Sequence, residues 1–147
     1  MALTTSLADL LETEPFSYLT PSLKEQYLDK CELIRYEIGT RILSLRQMPP
    51  GLLVLLKGEV RLMSLLSNNH SVTLDRRGPG QMMGWISHLR KEPCEMVQAS
   101  EQCICLIVPG SLLRKTWEDN TEFKDFFDAL VSPSEISYVL GKAYRDF

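Results

Sequence analysis

From Leu33 to Val108 a turn signal interrupts the chain about every ten residues, and this spacing limits its folding choices more than any other feature. The interruptions fall at Gly39, Pro49-Pro50-Gly51, Gly58, Ser67-Asn68-Asn69, Pro79-Gly80 and Glu101-Gln102. Each holds residues that accept turn geometry. The intervening segments are short and read with a period of two, which is the strand period. The spacing predicts strands over Leu33–Tyr36, Arg41–Leu45, Leu52–Leu56, Glu59–Leu65, Ser71–Asp75, Glu95–Ala99 and Cys103–Val108. Leu52-Leu53-Val54-Leu55-Leu56 is apolar on both faces and reads as an interior strand. Val60 and Leu62 alternate with Glu59 and Arg61, so the strand they occupy starts half-exposed.

Both flanks are helical. Leu3, Leu7, Leu10 and Leu11 form one apolar stripe, and Pro15 and Pro21 punctuate the segment after it. Thr20 reads as the cap of a helix with Pro21 in its first turn, and Leu23, Tyr27 and Cys31 mark one face of it. After Pro109-Gly110 the helical period returns. Ser111 reads as the cap of a helix through Trp117, and Asn120 or Thr121 as the start of another carrying Phe123, Phe126, Phe127 and Leu130. Pro133 opens a last helix striped by Ile136, Val139, Leu140, Ala143 and Tyr144. Helices, then many short strands, then helices make an α+β chain built on an antiparallel β-roll or jelly-roll-like sandwich. The expected division is N-terminal helices over 3–31, the roll over 33–108, helices over 111–130, and a C-terminal helix over 133–147. Residues 1–132 then form the domain proper.

At 147 residues this is one domain with room for a real core. The formal net charge of −3 argues against a general nucleic-acid binder. No apolar run approaches the ~20 residues of a membrane span. The N-terminus lacks the basic start and apolar core of a secretion signal, so a cytoplasmic location is expected. Cys31, Cys94, Cys103 and Cys105 form no Cys-x-x-Cys pair and read as reduced; Cys103 and Cys105 share a strand face and read as core. His70 and His88 do not sit at zinc-ligand spacing with them, and no metal is expected. No hydrolase or phosphate-loop motif is present, and no catalytic residue is expected.

The stretch from Pro79 to Ser100 is the most informative. After Pro79-Gly80 and a brief extended piece over Gln81–Met83, Gly84 opens a short helix, Trp85 to Arg90. Lys91, Glu92 and Pro93 then make a polar elbow. Free N–H groups and the helix dipole at such an N-terminus favour an anion. The plain alternative is a crossover between strands.

The order of elements, the Gly39 turn, Gly58 within Val54-Leu55-Leu56-Lys57-Gly58-Glu59-Val60, and Pro79-Gly80 leading to Met83-Gly84 together resemble the cyclic-nucleotide-binding domain family. The resemblance runs from about Leu7 to Leu130, and the last helix stands where that family has its C-helix. It implies that Pro79–Ser100 corresponds to the phosphate-binding cassette, which reads Phe-Gly-Glu, a short helix, then Arg-(Ser/Thr)-Ala. In the family the glutamate receives the ribose 2′-hydroxyl and the arginine pairs with the cyclic phosphate. Here Gly84 matches, Trp85 stands in place of the glutamate, and Pro93-Cys94-Glu95 stands in place of Arg-Ser-Ala. The cassette is also shorter. Gly84-Trp85, Leu89-Arg90, Pro93-Cys94-Glu95 and Ala99-Ser100 further resemble the cassette of cyclic-nucleotide-binding-like domains at the N-terminus of bacterial peptide- or toxin-secretion ABC transporters.

The resemblance implies a non-enzymatic regulatory input module of a larger bacterial protein such as an ABC peptide exporter. The alternative is the effector domain of a catabolite-activator-type transcription regulator. Gly84, Trp85, Ile86, Ser87, Arg90, Cys94 and Glu95 are the candidate ligand contacts, and a small anionic ligand or nucleotide is the candidate occupant. Cyclic AMP and cyclic GMP are not expected to bind in the family manner, and no cofactor is expected. Downstream transporter domains, or a second copy met through the C-terminal helix, are the candidate protein partners. The sequence ends at Phe147, before such regulators carry their helix-turn-helix, so direct nucleic-acid contact is not expected. Arg90 is the residue placed to substitute for the missing arginine; with Lys91 it also reads as a solvated pair at a helix C-terminus. Trp85 either fills the ribose space or stacks on a flat ligand. His88 reads as decoration of the short helix, and Arg76-Arg77 as a solvated turn.

Overall fold

The computed structural model describes residues 7–66 and 68–145. The stripe residue Leu3, and the side chains of Ala143 and Tyr144, lie outside the described residues. The strands are β1 (Glu32–Tyr36), β2 (Arg41–Leu43), β3 (Gly51–Lys57), β4 (Val60–Leu65), β5 (Ser71–Arg77), β6 (Met82–Met83), β7 (Met96–Ala99) and β8 (Cys103–Pro109). They form two antiparallel four-stranded sheets, ordered β1-β8-β3-β6 and β2-β7-β4-β5. Around them lie the helices α1 (Pro21–Lys30), α2 (Trp85–Arg90), α3 (Gly110–Asp119), α4 (Thr121–Asp128) and α5 (Pro133–Arg145). The chain is α+β, a β-roll with flanking helices.

The apolar run Leu52–Leu56 becomes the interior strand that its composition demands, paired with β8 on one side and β6 on the other. Because side chains alternate across a strand, β3 serves two cores. Leu53 and Leu55 enter the space between the sheets with Val60, Leu62, Val97, Cys103 and Cys105. Leu52 and Val54 face the helices, where Phe16, Tyr27, Leu113, Phe123 and Phe127 are buried. Phe123 and Phe127 pack at a centroid distance of 5.2 Å. A short polar chain runs through this helical core: Tyr27 Oη lies 2.7 Å from Thr116 Oγ1, which donates to the Leu112 carbonyl at 2.7 Å.

Several boundaries follow from capping. Thr20 caps α1 by accepting from Leu23 N at 3.3 Å, with Pro21 at the first helical position. Asn120 caps α4 by accepting from Phe123 N at 2.9 Å, and its amide donates to the Tyr18 carbonyl at 2.9 Å. Ser111 does not cap α3. That helix begins one residue earlier at Gly110, running on from β8 after Pro109 without a side-chain cap. Arg76 and Arg77 are not on a solvated turn: β5 continues through both, pairing with Arg61 and Val60, and the turn begins after them. The β2 expectation overran by two residues, because pairing with β7 ends at Leu43.

Candidate functional site

Met82 and Met83 pair with Val54 and Leu53, which brings Gly84 against the start of β3. Gly84 has φ of +86°, and a Cβ there would lie 2.3 Å from the Gly51 carbonyl oxygen. Glycine is therefore required twice over, by backbone conformation and by space. The chain leaves it directly into α2, whose residues Trp85, Ile86, Ser87 and His88 are buried. Lys91 closes the helix in the left-handed region, with its N–H on the Ser87 carbonyl.

The N-terminus of α2 does hold an anion-type group, and the chain itself supplies it. Glu95 is not the first residue of β7 in the sheet. Its side chain turns back into the interior, where Glu95 is 3% exposed. Oε1 accepts from Gly84 N at 2.8 Å, and Oε2 accepts from Ser87 N at 3.1 Å and Ser87 Oγ at 2.7 Å. Ser87 Oγ in turn accepts from Cys94 N at 3.2 Å, which fixes the elbow. Both carboxylate oxygens are thus engaged, and one side chain satisfies the Gly84 and Ser87 N–H groups and the Ser87 hydroxyl at the helix start. Burial pushes the Glu95 carboxyl above its ordinary range, opposed by the Ser87 hydroxyl and the Gly84 and Ser87 N–H groups. Burial also pushes the Cys94 thiol up to about 11, so it is no activated nucleophile.

The remaining candidates are equally committed to the protein. Trp85 is 3% exposed and packs on Phe127 at 5.7 Å. Ile86 lies in the helical core. Arg90 pairs with Glu135 of α5 at 3.0 Å and sits over the Tyr138 ring at 5.9 Å. Tyr138 Oη donates to Glu92. The cassette is thereby latched to the C-terminal helix through Arg90 before its elbow and Glu92 within it, and Ser64 of β4 reaches Ser137 of α5 at 2.8 Å.

His88 does not decorate the helix surface. It is buried, with Nε2 2.8 Å from the Pro49 carbonyl oxygen and Nδ1 2.8 Å from Arg114 Nη1. A carbonyl can only accept and a guanidinium can only donate, so the imidazole is neutral, with its proton on Nε2. Burial, and secondarily the Arg114 charge, hold its pKa below the ordinary histidine value, against the opposing Pro49 hydrogen bond. Periodicity gave no sign of this clip, since its partners lie 39 and 26 residues away. The same holds for Glu135 and Tyr138, which look like ordinary solvent-facing positions of a striped helix. No group of three or more His, Cys, Asp or Glu residues that could hold a metal occurs among the described residues. No described helix is long and apolar enough to cross a membrane.

The family model described as the cyclic nucleotide-binding domain matches residues 33–120. The chain belongs to the cyclic-nucleotide-binding domain family. No curated protein sequence matches it. Among solved structures of this fold, the sensor domain of the transcriptional regulator DNR from Pseudomonas aeruginosa is similar with a TM-score of 0.74 and 15% identity, over 100% of this chain and 97% of that one. The regulatory subunit of a cAMP-independent protein kinase A from Trypanosoma brucei, as a triple mutant bound to cAMP, has a TM-score of 0.74 and 18% identity over 95% of this chain and 51% of that one. The catabolite activator protein of Thermus thermophilus has a TM-score of 0.65 and 20% identity over 89% and 58%. The chain spans about half to three-fifths of the length of the latter two. At these identities the likeness is one of fold. In this chain the Gly84 and Ser87 N–H groups are met by the carboxylate of Glu95.

Proposed function

We propose that this chain is a non-enzymatic regulatory module that does not read cyclic AMP or cyclic GMP through its cassette, and that acts through its C-terminal helix on a larger protein or on a second copy. The observation that carries the reading is Glu95 on the Gly84 and Ser87 N–H groups. A cyclic phosphate entering there meets a buried carboxylate where it needs a cation. Truncating one partner of a buried charged hydrogen bond costs about 2–5 kcal/mol, and here the phosphate position holds a like charge instead. Arg90 is held by Glu135 and Tyr138, so recruiting it to a ligand would break the latch. The exposed Ile136, Val139 and Leu140 offer the helix an apolar face for a partner.

Titration calorimetry with both nucleotides is the direct test, and no saturable heat is expected. A dissociation constant of about 10 μM or tighter, abolished by Arg90→Ala, would overturn the reading. Deleting residues from Pro133 onward is expected to change oligomeric state or partner coupling, and a deletion that changes neither counts against it. The same module serves an ABC peptide exporter or a catabolite-activator-type regulator. Solved structures of transcriptional regulators support the second setting by fold, and the cassette residues Gly84-Trp85 and Pro93-Cys94-Glu95 support the first by resemblance. The full reading frame, together with a mobility shift at low salt, separates them.

A further inference from the structure

We propose that the outer face of the β2-β7-β4-β5 sheet docks the acidic helix α4 of a second copy of this chain, head to tail. The strand registers line up basic side chains across that sheet. Arg41 of β2 lies opposite Gln98 of β7, Gln98 opposite Arg61 of β4, and Arg61 opposite Arg76 of β5. Val60, Leu62, Val97 and Ala99, which flank Arg61 and Gln98, face the space between the sheets, so the row points the other way. Arg41 and Arg76 are exposed and Arg61 is half-buried. Like charges directly opposite on neighbouring strands are destabilising, and Arg61 faces Arg76 in that arrangement. Glu59 offsets the charge of Arg76 alone, from 3.5 Å. Among the described residues Arg41 and Arg61 are in no ion pair. The row is thus a basic strip with an unmet need for carboxylates, on a chain whose formal net charge is −3.

The opposite side of the molecule carries the complement. The sheet that holds β3 and β8 stands between the arginine row and the helical layer. There α4 buries Phe123 and Phe127 and leaves Glu122, Asp125 and Asp128 exposed. Asp128 is paired with Lys124 at 2.7 Å. Glu122 and Asp125 are in no ion pair among the described residues. Three residues on a helix advance about 4.5 Å along its axis, and neighbouring strands lie about 4.7–4.9 Å apart. A copy of α4 laid across the strands therefore sets Glu122 over Arg76 and Asp125 over Arg61, with Asp128 next to Gln98, whose amide nitrogen donates. The arginine fork suits a carboxylate. Because the two faces differ, the contact is heterologous and leaves one unused face at each end. Neither face includes the C-terminal helix, so the inference stands apart from the regulatory reading above.

The test is sedimentation velocity of the full chain over a concentration series, at about 20 mM and about 300 mM salt, which shortens the screening length from ~20 Å to ~6 Å. Self-association with a dissociation constant of about 1 mM or below is expected at the lower salt, and about tenfold weaker or more at the higher. Arg61→Glu and Asp125→Lys are each expected to weaken it about tenfold or more. Mixed in equal amounts they are expected to associate again, because the intact α4 of the first meets the intact arginine row of the second. If Arg61→Glu fails to fold by circular dichroism, Arg76→Glu takes its place. No concentration dependence up to about 1 mM overturns the proposal. So does association that is indifferent to salt or to either substitution, or a mixture that stays monomeric. Pelleting with phosphatidylglycerol vesicles, or a shifted DNA duplex, that Arg61→Glu abolishes while the chain stays monomeric would assign the row to phosphates and overturn it too. An apolar dimer through α5 would persist at the higher salt and be lost on deletion from Pro133, so the two readings fail separately.

Discussion

Glu95 Oε1 lies 2.8 Å from the backbone nitrogen of Gly84, so residues on opposite sides of the cassette elbow close it from within. The carboxylate belongs to the residue just before β7, and the nitrogen to the residue just before α2. Removing the side chain strips three donors of their acceptor at once. Glu95→Ala is expected to cost about 3 kcal/mol or more in urea denaturation, since each unsatisfied buried donor costs about 1–3 kcal/mol. Glu95→Gln keeps an acceptor oxygen and is expected to cost clearly less. Equal losses for the two variants would show that the site is held by packing alone.

The pH dependence of Glu95 has a definite sign. Its folded pKa is raised above the ordinary 4.5 by burial, so the folded state binds more protons than the unfolded chain above that value. Its contribution is fully present below the unfolded pKa and is lost as pH rises through the folded one. The stability of Glu95→Gln relative to the parent chain is therefore expected to improve as pH rises from the ordinary carboxylate range. A flat difference between the two proteins from acid to neutral pH contradicts this.

His88 runs the other way. Its folded pKa is depressed below 6.5, chiefly by burial, so its contribution is present above the unfolded pKa and is lost as pH falls through the folded one. Protonation would leave Arg114 facing a second cation and Nδ1 unable to accept. Thermal midpoints measured from pH 7.5 to 5 are expected to fall more steeply for the parent chain than for His88→Gln. Parallel slopes would remove the clip from the acid response.

Two glycines share a φ of +86° but differ in surroundings. A Cβ at Gly39 meets nothing within 4 Å, whereas one at Gly84 lies 2.3 Å from a backbone oxygen. Gly39→Ala is expected to cost about 1–2 kcal/mol, the left-handed penalty alone. Gly84→Ala adds a clash that only main-chain movement relieves, and a loss of about 4 kcal/mol or failure to fold is expected. Similar losses at both positions would mean that the cassette is free to shift away from β3.

Arg90 and Glu135 are both partly exposed, at 36% and 24%, so their pair is expected to add under about 1 kcal/mol in a double-mutant cycle. Its larger effect should be local. Arg90→Ala is expected to speed amide exchange in α5 while leaving β3 unchanged. Unchanged exchange in α5 would show that Tyr138 with Glu92, and Ser137 with Ser64, hold the helix without it.

The roll was legible because its signals are local. Turn residues and a period of two placed all seven longer strands, and the doubly apolar Leu52–Leu56 had to be interior. The site was legible only as a location. Gly84 and the short helix mark an anion cradle in sequence, but nothing near Gly84 says that Glu95 fills it, because its reach depends on the elbow at Lys91–Cys94. Arg77 was misread for a related reason. An Arg-Arg pair before Gly-Pro-Gly looks like a turn, and only the pairing of Val60 with Arg77 and of Arg61 with Arg76 shows that β5 runs on through both.

The double duty of β3 has a mechanical consequence. One strand is the party wall of two rooms: the sandwich interior on one side, and the helical chamber with Trp85 and Phe127 on the other. Refurnishing the helical chamber, by a ligand or by mutation, need not disturb the far wall of the sandwich. The roll can act as a stationary frame while helices move against it, with β3 the last strand to exchange its amides.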